Sequence, residues 1–362
     1  MTPVELSRTV LHAVRRAVDV GELTVPVPER VVVTPPGPGG RGDYATNIAL
    51  QLARPAGRPA LQVAEILRPH LRDTVGVADV EITGPGFLNI HLDQGTATAA
   101  VVRQILGDTG VTRVGGDTSD CGDSRDQGDA GDSGDCGDSG NIGSTYGHST
   151  ALHGTVIPLR IPYDIRAEVV ADTLVRIIAT QGGRAEFDHA RPGEPVDLRP
   201  VPAPEDPTPL GPDAARWALL HPAAHDRPRI TADHLLQRES NPLFRVRYAH
   251  SRARALARNA ARLGFEAAPG DVPDASAATL TRALAEYPTA LAQAATHRAP
   301  DRLARHLVVV ADGLLAFQHT VLPLGEEKPS AAHRARLALA EAAGTVLAGG
   351  LSLLGISAPD YL

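Results

Sequence analysis

The feature that most limits how this chain can fold is residues 115–140, GGDTSDCGDSRDQGDAGDSGDCGDSG, where aspartate recurs at every third position. Without proline it is no collagen-like repeat. It has too few apolar side chains to found a core, and it lacks the apolar position of a calcium-binding nonapeptide repeat. A disordered acidic linker is expected, with folded parts on either side. The tract holds eight aspartates against one arginine, a local charge of −7 that equals the net charge of all 362 residues. The folded parts are therefore electrically balanced. Both cysteines, Cys121 and Cys136, lie in the tract, so neither a disulfide framework nor a structural zinc site is expected. No run of about 18 apolar residues suggests a membrane span. The N-terminal stretch is broken by Glu5, Arg8, Arg15 and Arg16, an amphipathic helix and no secretory signal. A cytoplasmic location is expected.

Before the tract a small α/β unit is legible. A helix over about 3–20 precedes a strand over 30–34. Asp43 is placed to cap a helix that Pro55 ends, and Pro59 opens another. VADVEIT and GFLNIHL read as strands around Gly84-Pro85-Gly86. After the tract, TVIPLRIPY reads as a strand. DIRAEVVADTLVRIIATQGG follows as a helix capped by Asp164 and stopped at Gly182-Gly183, and AEFDH and PVDLRPV read as further short strands. From Asp213 the pattern is helical to the end, with stops expected at Gly264, Pro288, Pro300, Pro323 and Gly349-Gly350. The fold class is multidomain, α/β plus all-α. It comprises an N-terminal α/β domain (1–93), a linker (94–148), a residual α/β segment (149–210) and a C-terminal helical bundle (211–362).

Residues 241–265, NPLFRVRYAHSRARALARNAARLGF, carry six arginines and no acidic residue. On a helical projection Arg247, Arg254, Arg258 and Arg262 fall within roughly 80° of one another, opposite Val246, Ala249, Ala253, Ala257 and Ala260. Phe244 and Tyr248 flank the arginines. Guanidinium forks grip phosphate oxygens, and aromatic rings stack on unpaired bases. A solvated arginine face paired to neighbouring acids would read the same way.

The succession PDAARWALL, RESNPLFRVRYAHSRARALARNA, ALAEYPTALAQAATHRAPDRLARHLVVVADGLLAFQHTVLPLG and ARLALAEAAGTVLAGGLSLLGISAPDYL resembles the DALR anticodon-binding domain of arginyl-tRNA synthetases over 211–362. GDYATNIALQLARPAGR and VADVEITGPGFLNIHL are similar to that family's additional N-terminal domain, which contacts the D-loop corner of tRNA. The resemblance implies tRNA as partner. Arg247, Arg254 and Arg258 would meet phosphates, with Tyr248, His250 and Tyr361 beside anticodon-loop bases. Arg41, Tyr44 and Asn47 would face the D-loop. Gln318 stands where the family often has a ring.

The family's catalytic domain would lie between these parts. RIPYDIRAEVVADTLVRIIATQGG resembles its first strand–helix step, with Arg166, Asp172 and Gly182 in register, so 149–210 reads as a truncated remnant. At the His-x-Gly-His positions stand Ile161, Pro162, Tyr163 and Asp164, and no Lys-Met-Ser-Lys sequence occurs. Only 27 residues separate Gly183 from Gly211, too few for a doubly wound nucleotide-binding sheet. Thr145-Tyr146-Gly147-His148 keeps half of the histidine motif but follows the acidic tract and lacks the strand-to-helix context. His148 and His153 have no third ligand at metal spacing. The expectation is a catalytically inactive, tRNA-binding relative that needs no cofactor. The alternatives are an arginine–tRNA ligase using ATP and magnesium, or an interaction module that partners an authentic synthetase.

Overall fold

The computed structural model describes residues 3–34, 36, 42–74, 76–92, 94–107, 145–191, 193–272 and 274–362. The acidic tract, its two cysteines and Arg41 lie outside the described residues. The N-terminal elements are α1 (Pro3–Asp19), β1 (Val33–Thr34), β2 (Tyr44–Thr46), α2 (Ile48–Ala56), α3 (Ala60–Arg72), β3 (Val77–Thr83) and β4 (Phe87–Leu92). The strands pair antiparallel in the order β1-β2-β4-β3. Leu6, Val10 and Val14 recur at helical spacing on α1 and are buried with Ile48, Leu67, Leu88 and Ile90. The β3–β4 hairpin turns at Gly84–Gly86. Gly86 sits at φ 131°, and a Cβ there would lie 2.9 Å from the backbone carbonyl carbon and oxygen of Ala60. Gly86→Ala is therefore expected to cost about 1–3 kcal/mol, since neither backbone can yield. A denaturant titration that leaves the midpoint unchanged would contradict this.

Three local expectations fail here, the first because a long-range contact overrides a local signal. Asp43 does not cap α2. Its Oδ2 accepts from Leu92 N at 3.0 Å, and the chain after it pairs as β2, so Asn47 becomes the N-cap. Pro55 does not end the helix, which runs to Ala56 and stops at left-handed Gly57. The first strand covers only Val33–Thr34, not 30–34.

The rest of the chain forms α4 (Gln94–Gly107), β5 (Val156–Ile161), α5 (Ile165–Thr180), β6 (Arg184–His189), α6 (Gly211–Leu220), α7 (Pro242–Arg262), α8 (Ala275–Thr296), α9 (Pro300–Phe317) and α10 (Ala331–Leu354). Part of the expected linker 94–148 is thus helical. Val101, Val102 and Ile105 of α4 are buried in the bundle core. Thr98 Oγ1 meets Thr281 Oγ1 at 3.1 Å, and Arg282 pairs with Asp43 at 3.3 Å. The N-terminal unit is thereby joined to α8. Tyr146 is buried, donates to Leu284 O at 2.9 Å and stacks on Tyr287, so the sequence following the acidic tract is an anchor.

Neither Pro288 nor Gly349-Gly350 stops a helix. Pro288 lies within α8, and α10 runs through both glycines to Leu354. Gly350 lies against the side chain of buried Leu307, where a Cβ would collide, so it serves close helix packing. By length and apolarity α10 matches a membrane span, in contrast to the sequence reading, but most of it is buried in the bundle.

Between the two units, β5 and β6 form a parallel pair from Val156↔Arg184 to Ile161↔His189, with α5 as crossover. Asp164 caps α5, accepting from Arg166 N at 3.1 Å and Ala167 N at 3.0 Å. PVDLRPV forms no strand. Instead Asp197 Oδ2 accepts from Arg160 N and the Asp197 amide donates to Arg160 O.

Two arginine clusters bind this unit to the bundle. Arg166 is fully buried, and each of its five N–H groups has a carbonyl. Nε donates to Leu219 O (3.0 Å), Nη1 to Val201 O (2.7 Å) and Asp226 O (2.8 Å), and Nη2 to Pro222 O (3.0 Å) and Ala223 O (2.9 Å). Arg176 and Arg216 donate through Nε to Leu353 O and Leu354 O, each at 2.8 Å, and so cover the negative end of α10. Asp172 holds both arginines, at 3.0 and 2.5 Å. Burial alone would raise its pKa, but hydrogen bonds from Arg216 and Arg176 win and hold it below the usual carboxylate range.

Candidate nucleic-acid interface

Beyond α10, Gly355 takes the left-handed conformation and returns the chain across α7. α7 itself starts where Asn241 accepts from Leu243 N and Phe244 N, with Pro242 in its first turn. Its apolar face (Leu243, Val246, Ala249, Ala253, Leu256, Ala260) is buried. A Cβ on Gly344 of α10 would lie 2.9 Å from Ala253 Cβ, so the two helices touch almost backbone to backbone. That packing leaves the arginine face outward, under the returning chain.

The final residues form a strap over that face. Ser357 bonds Asp213 through its amide (3.1 Å) and its hydroxyl, and accepts from Arg247 Nη2 at 3.2 Å. Pro359 O accepts from the His250 imidazole at 3.0 Å. Arg254 pairs with Asp360, Nε to Oδ1 at 3.1 Å, and Arg258 donates to Asp360 O at 3.3 Å. Arg258 also lies under the Tyr361 ring, 4.1 Å from its centroid. The ring is 73% exposed.

The projected residues therefore separate. Arg254, with 54% of its side chain exposed, Arg258 and Tyr361 form one surface, and Arg262 is exposed beyond them. Arg247 is largely covered; it supports the strap and lies 3.6 Å from Asp213. Tyr248 is half-buried and stacks on Phe244 with centroids 5.4 Å apart. Two expectations need correction. His250 does not face an incoming base, because it is buried beneath the strap. Tyr44 does not face outward either. It is buried in β2 beside α8, and burial pushes its pKa up to about 12. Asn47 is exposed and accepts from Gln51 at 3.0 Å. Gln318, in place of a ring, accepts from Arg252 Nε at 2.8 Å. Sequence reasoning missed Asp360, Ser357 and Asp213, although the acid in APDYL was a signal for an arginine partner.

At the positions of the lost histidine motif, Ile161 is buried at the end of β5, Pro162 is half-buried, and Tyr163 is 81% exposed and stacked on His189 at 4.2 Å. The Asp164 carboxylate is turned into the N–H groups of its own helix.

Burial pulls His250 and His306 below the ordinary imidazole value of 6.5. His306 donates to Ala283 O at 2.9 Å in the bundle core. A lowered folded pKa means that the unfolded chain binds protons first as pH falls. Stability should therefore be fully present above 6.5 and decline below it, by up to about 1.4 kcal/mol per pH unit for each proton taken up. His250→Gln, which keeps a donor for Pro359, should flatten the decline in denaturant titrations between about pH 7 and pH 5. An unchanged slope would count against the burial argument.

An α/β domain stitched to an all-α bundle whose last residues strap an arginine helix defines the architectural class of the chain. The arginyl-tRNA synthetase N-terminal domain matches residues 5–92, and the DALR anticodon-binding domain matches 246–362. The arginine–tRNA ligase of Renibacterium salmoninarum is 53% identical over 102 residues, 27% of this chain and 19% of that protein. Its counterpart from Paenarthrobacter aurescens is 42% identical over 160 residues, 42% and 29% respectively. The matched stretches thus span less than a third of those relatives. In fold, the chain superposes on Thermus thermophilus arginyl-tRNA synthetase (TM-score 0.59, 14% identity, 100% of each chain) and on the Plasmodium falciparum enzyme (0.60, 9%, 99% of each). The chain is related to arginyl-tRNA synthetases through that family's N-terminal and DALR domains, and among the described residues between them stand α4, the β5–α5–β6 unit and α6.

Proposed function

We propose that the chain binds tRNA through the arginine face of α7 and its C-terminal strap, without aminoacylating it. The observation that carries this reading is the exposed Tyr361 ring seated on Arg258 beside half-exposed Arg254. One face of the ring is held by a cation and the other is open to an unstacked base, while the guanidinium groups reach backbone phosphates. Arg247 and His250 hold the strap in place.

The inert half of the proposal rests on α5. A helix N-terminus following a parallel strand attracts phosphate, but here the Asp164 carboxylate already accepts from the first free N–H groups. It also adds a negative charge where a triphosphate would lie. No histidine or lysine stands at 161–164 to neutralise charge developing on the α-phosphate.

Gel-shift titrations of full-length chain with tRNA at two salt concentrations test the binding half. Binding that weakens steeply with salt is expected, because phosphate contacts release counterions. No complex at low salt would end the proposal. ATP–pyrophosphate exchange with arginine and tRNA tests the other half. No exchange is expected, and clear tRNA-dependent exchange would establish the ligase reading.

A further inference from the structure

A separate cleft of about 560 Å³ opens where the end of α6, the loop after it and the start of α7 meet. This is within the size range of small-molecule pockets. His221, His234, Arg227 and Arg229 line it, with Asp226 as the sole acid. Among the described residues, the side chains of Arg227 and Arg229 have no hydrogen bond or ion pair. Asp226 is itself 3.7 Å from His225.

Behind the loop stands Arg166, whose buried charge is met by carbonyl oxygens and not by a carboxylate in contact. It draws four carbonyls of residues 219–226 inward, which fixes the loop and sets a positive charge behind it that Asp164 and Asp226 offset only from a distance. His234 Nε2 donates to Arg229 O at 2.9 Å and so holds the other side. Arg245 and Arg305 approach from α7 and α9, but Asp312 and Asp301 already pair with them.

We propose that this cleft is a second anion site, distinct from the arginine face of α7, which takes a phosphate group between Arg227, Arg229 and the two histidines. The site is built for charge and not for one molecule: two unpaired forks at the rim grip oxygens, the His221 imidazole faces the same space, and His234 holds the backbone of Arg229 in place. A phosphate of an RNA strand and a free oligophosphate offer the same chemistry. The inference is independent of whether α7 engages tRNA.

His221 provides a local reporter. Burial, and then the positive charges of Arg305, His234 and Arg245, push its pKa down to about 4. An anion in the cleft opposes those charges, so it should move the His221 titration upward by about one pH unit or more. The experiment is an NMR pH titration of histidine-labelled full-length chain, alone, with millimolar pyrophosphate, and with a short single-stranded RNA. The same series is run on the Arg227→Gln/Arg229→Gln variant. Both arginines are exposed, so the variant should melt like the parent. An upward shift that the variant loses supports the site. A response to RNA alone identifies strand phosphates as the ligand, and a response to pyrophosphate identifies free oligophosphate. No shift with either ligand overturns the proposal, and so does a shift that the variant retains.

Discussion

Arg166→Ala is expected to destabilise the chain by about 3–5 kcal/mol or more, well beyond the effect of Gly86→Ala. The buried guanidinium donates to the carbonyls of Val201, Leu219, Pro222, Ala223 and Asp226, and removing it takes a donor from all five together, of which Ala223 O keeps the Asp226 amide at 2.9 Å. An unsatisfied buried acceptor costs about 1–3 kcal/mol. Water entering through the adjacent cleft would relieve part of that sum, so the total should fall below simple addition. Arg166→Lys offers three donors for five carbonyls in place of a planar fork, and should recover only a fraction. The second expected consequence is spatial. The 219–226 loop would loosen, and amide exchange there should rise more than in α8 or α9. A denaturant midpoint for Arg166→Ala within error of the parent would mean that the loop repacks freely, contrary to the five-carbonyl packing around the guanidinium.

Arg166 also shows where reading the sequence stops. Asp164 as cap of α5 was legible because cap and helix are neighbours in sequence, and the same holds for the hairpin at Gly84–Gly86 and for the arginine stripe of α7. The five carbonyls of Arg166 lie 35 to 60 residues away, in the last turn of α6 and in loops with no local signature. Asp43 failed for the same reason: a capping signal was overridden by Leu92 N across the sheet and Arg282 across the domain boundary. Gly349-Gly350 looked like a stop because a glycine that ends a helix and one that admits a neighbouring helix are the same letter. Only the approach of Leu307 distinguishes them. At the candidate interface, the arginines were readable but the strap was not, since nothing in APDYL states that Asp360 returns to Arg254.

The strap makes the second large prediction more specific than loss of charge alone. Arg254→Gln/Arg258→Gln should weaken tRNA binding by about tenfold or more at low salt. It should also lower the slope of log affinity against log salt by about one for each phosphate that the variant no longer engages. Tyr361→Ala should remove a stacking contribution of about 1–3 kcal/mol per base while leaving the salt slope nearly unchanged, and Tyr361→Phe should retain it. Because Tyr361 is seated on Arg258, the effects of the two lesions should fall short of additive when combined. Asp360→Asn separates a device that builds the surface from one that blocks it. Asp360 already neutralises Arg254 in the free chain, so an incoming phosphate must compete with that carboxylate. If the strap's main effect is competition, Asp360→Asn tightens binding severalfold. If it is presentation of Tyr361, the variant weakens binding, because the ring loses its tether. Either outcome places tRNA on this face. Equal affinity and equal salt slope for the parent, Arg254→Gln/Arg258→Gln and Tyr361→Ala would remove tRNA from it altogether.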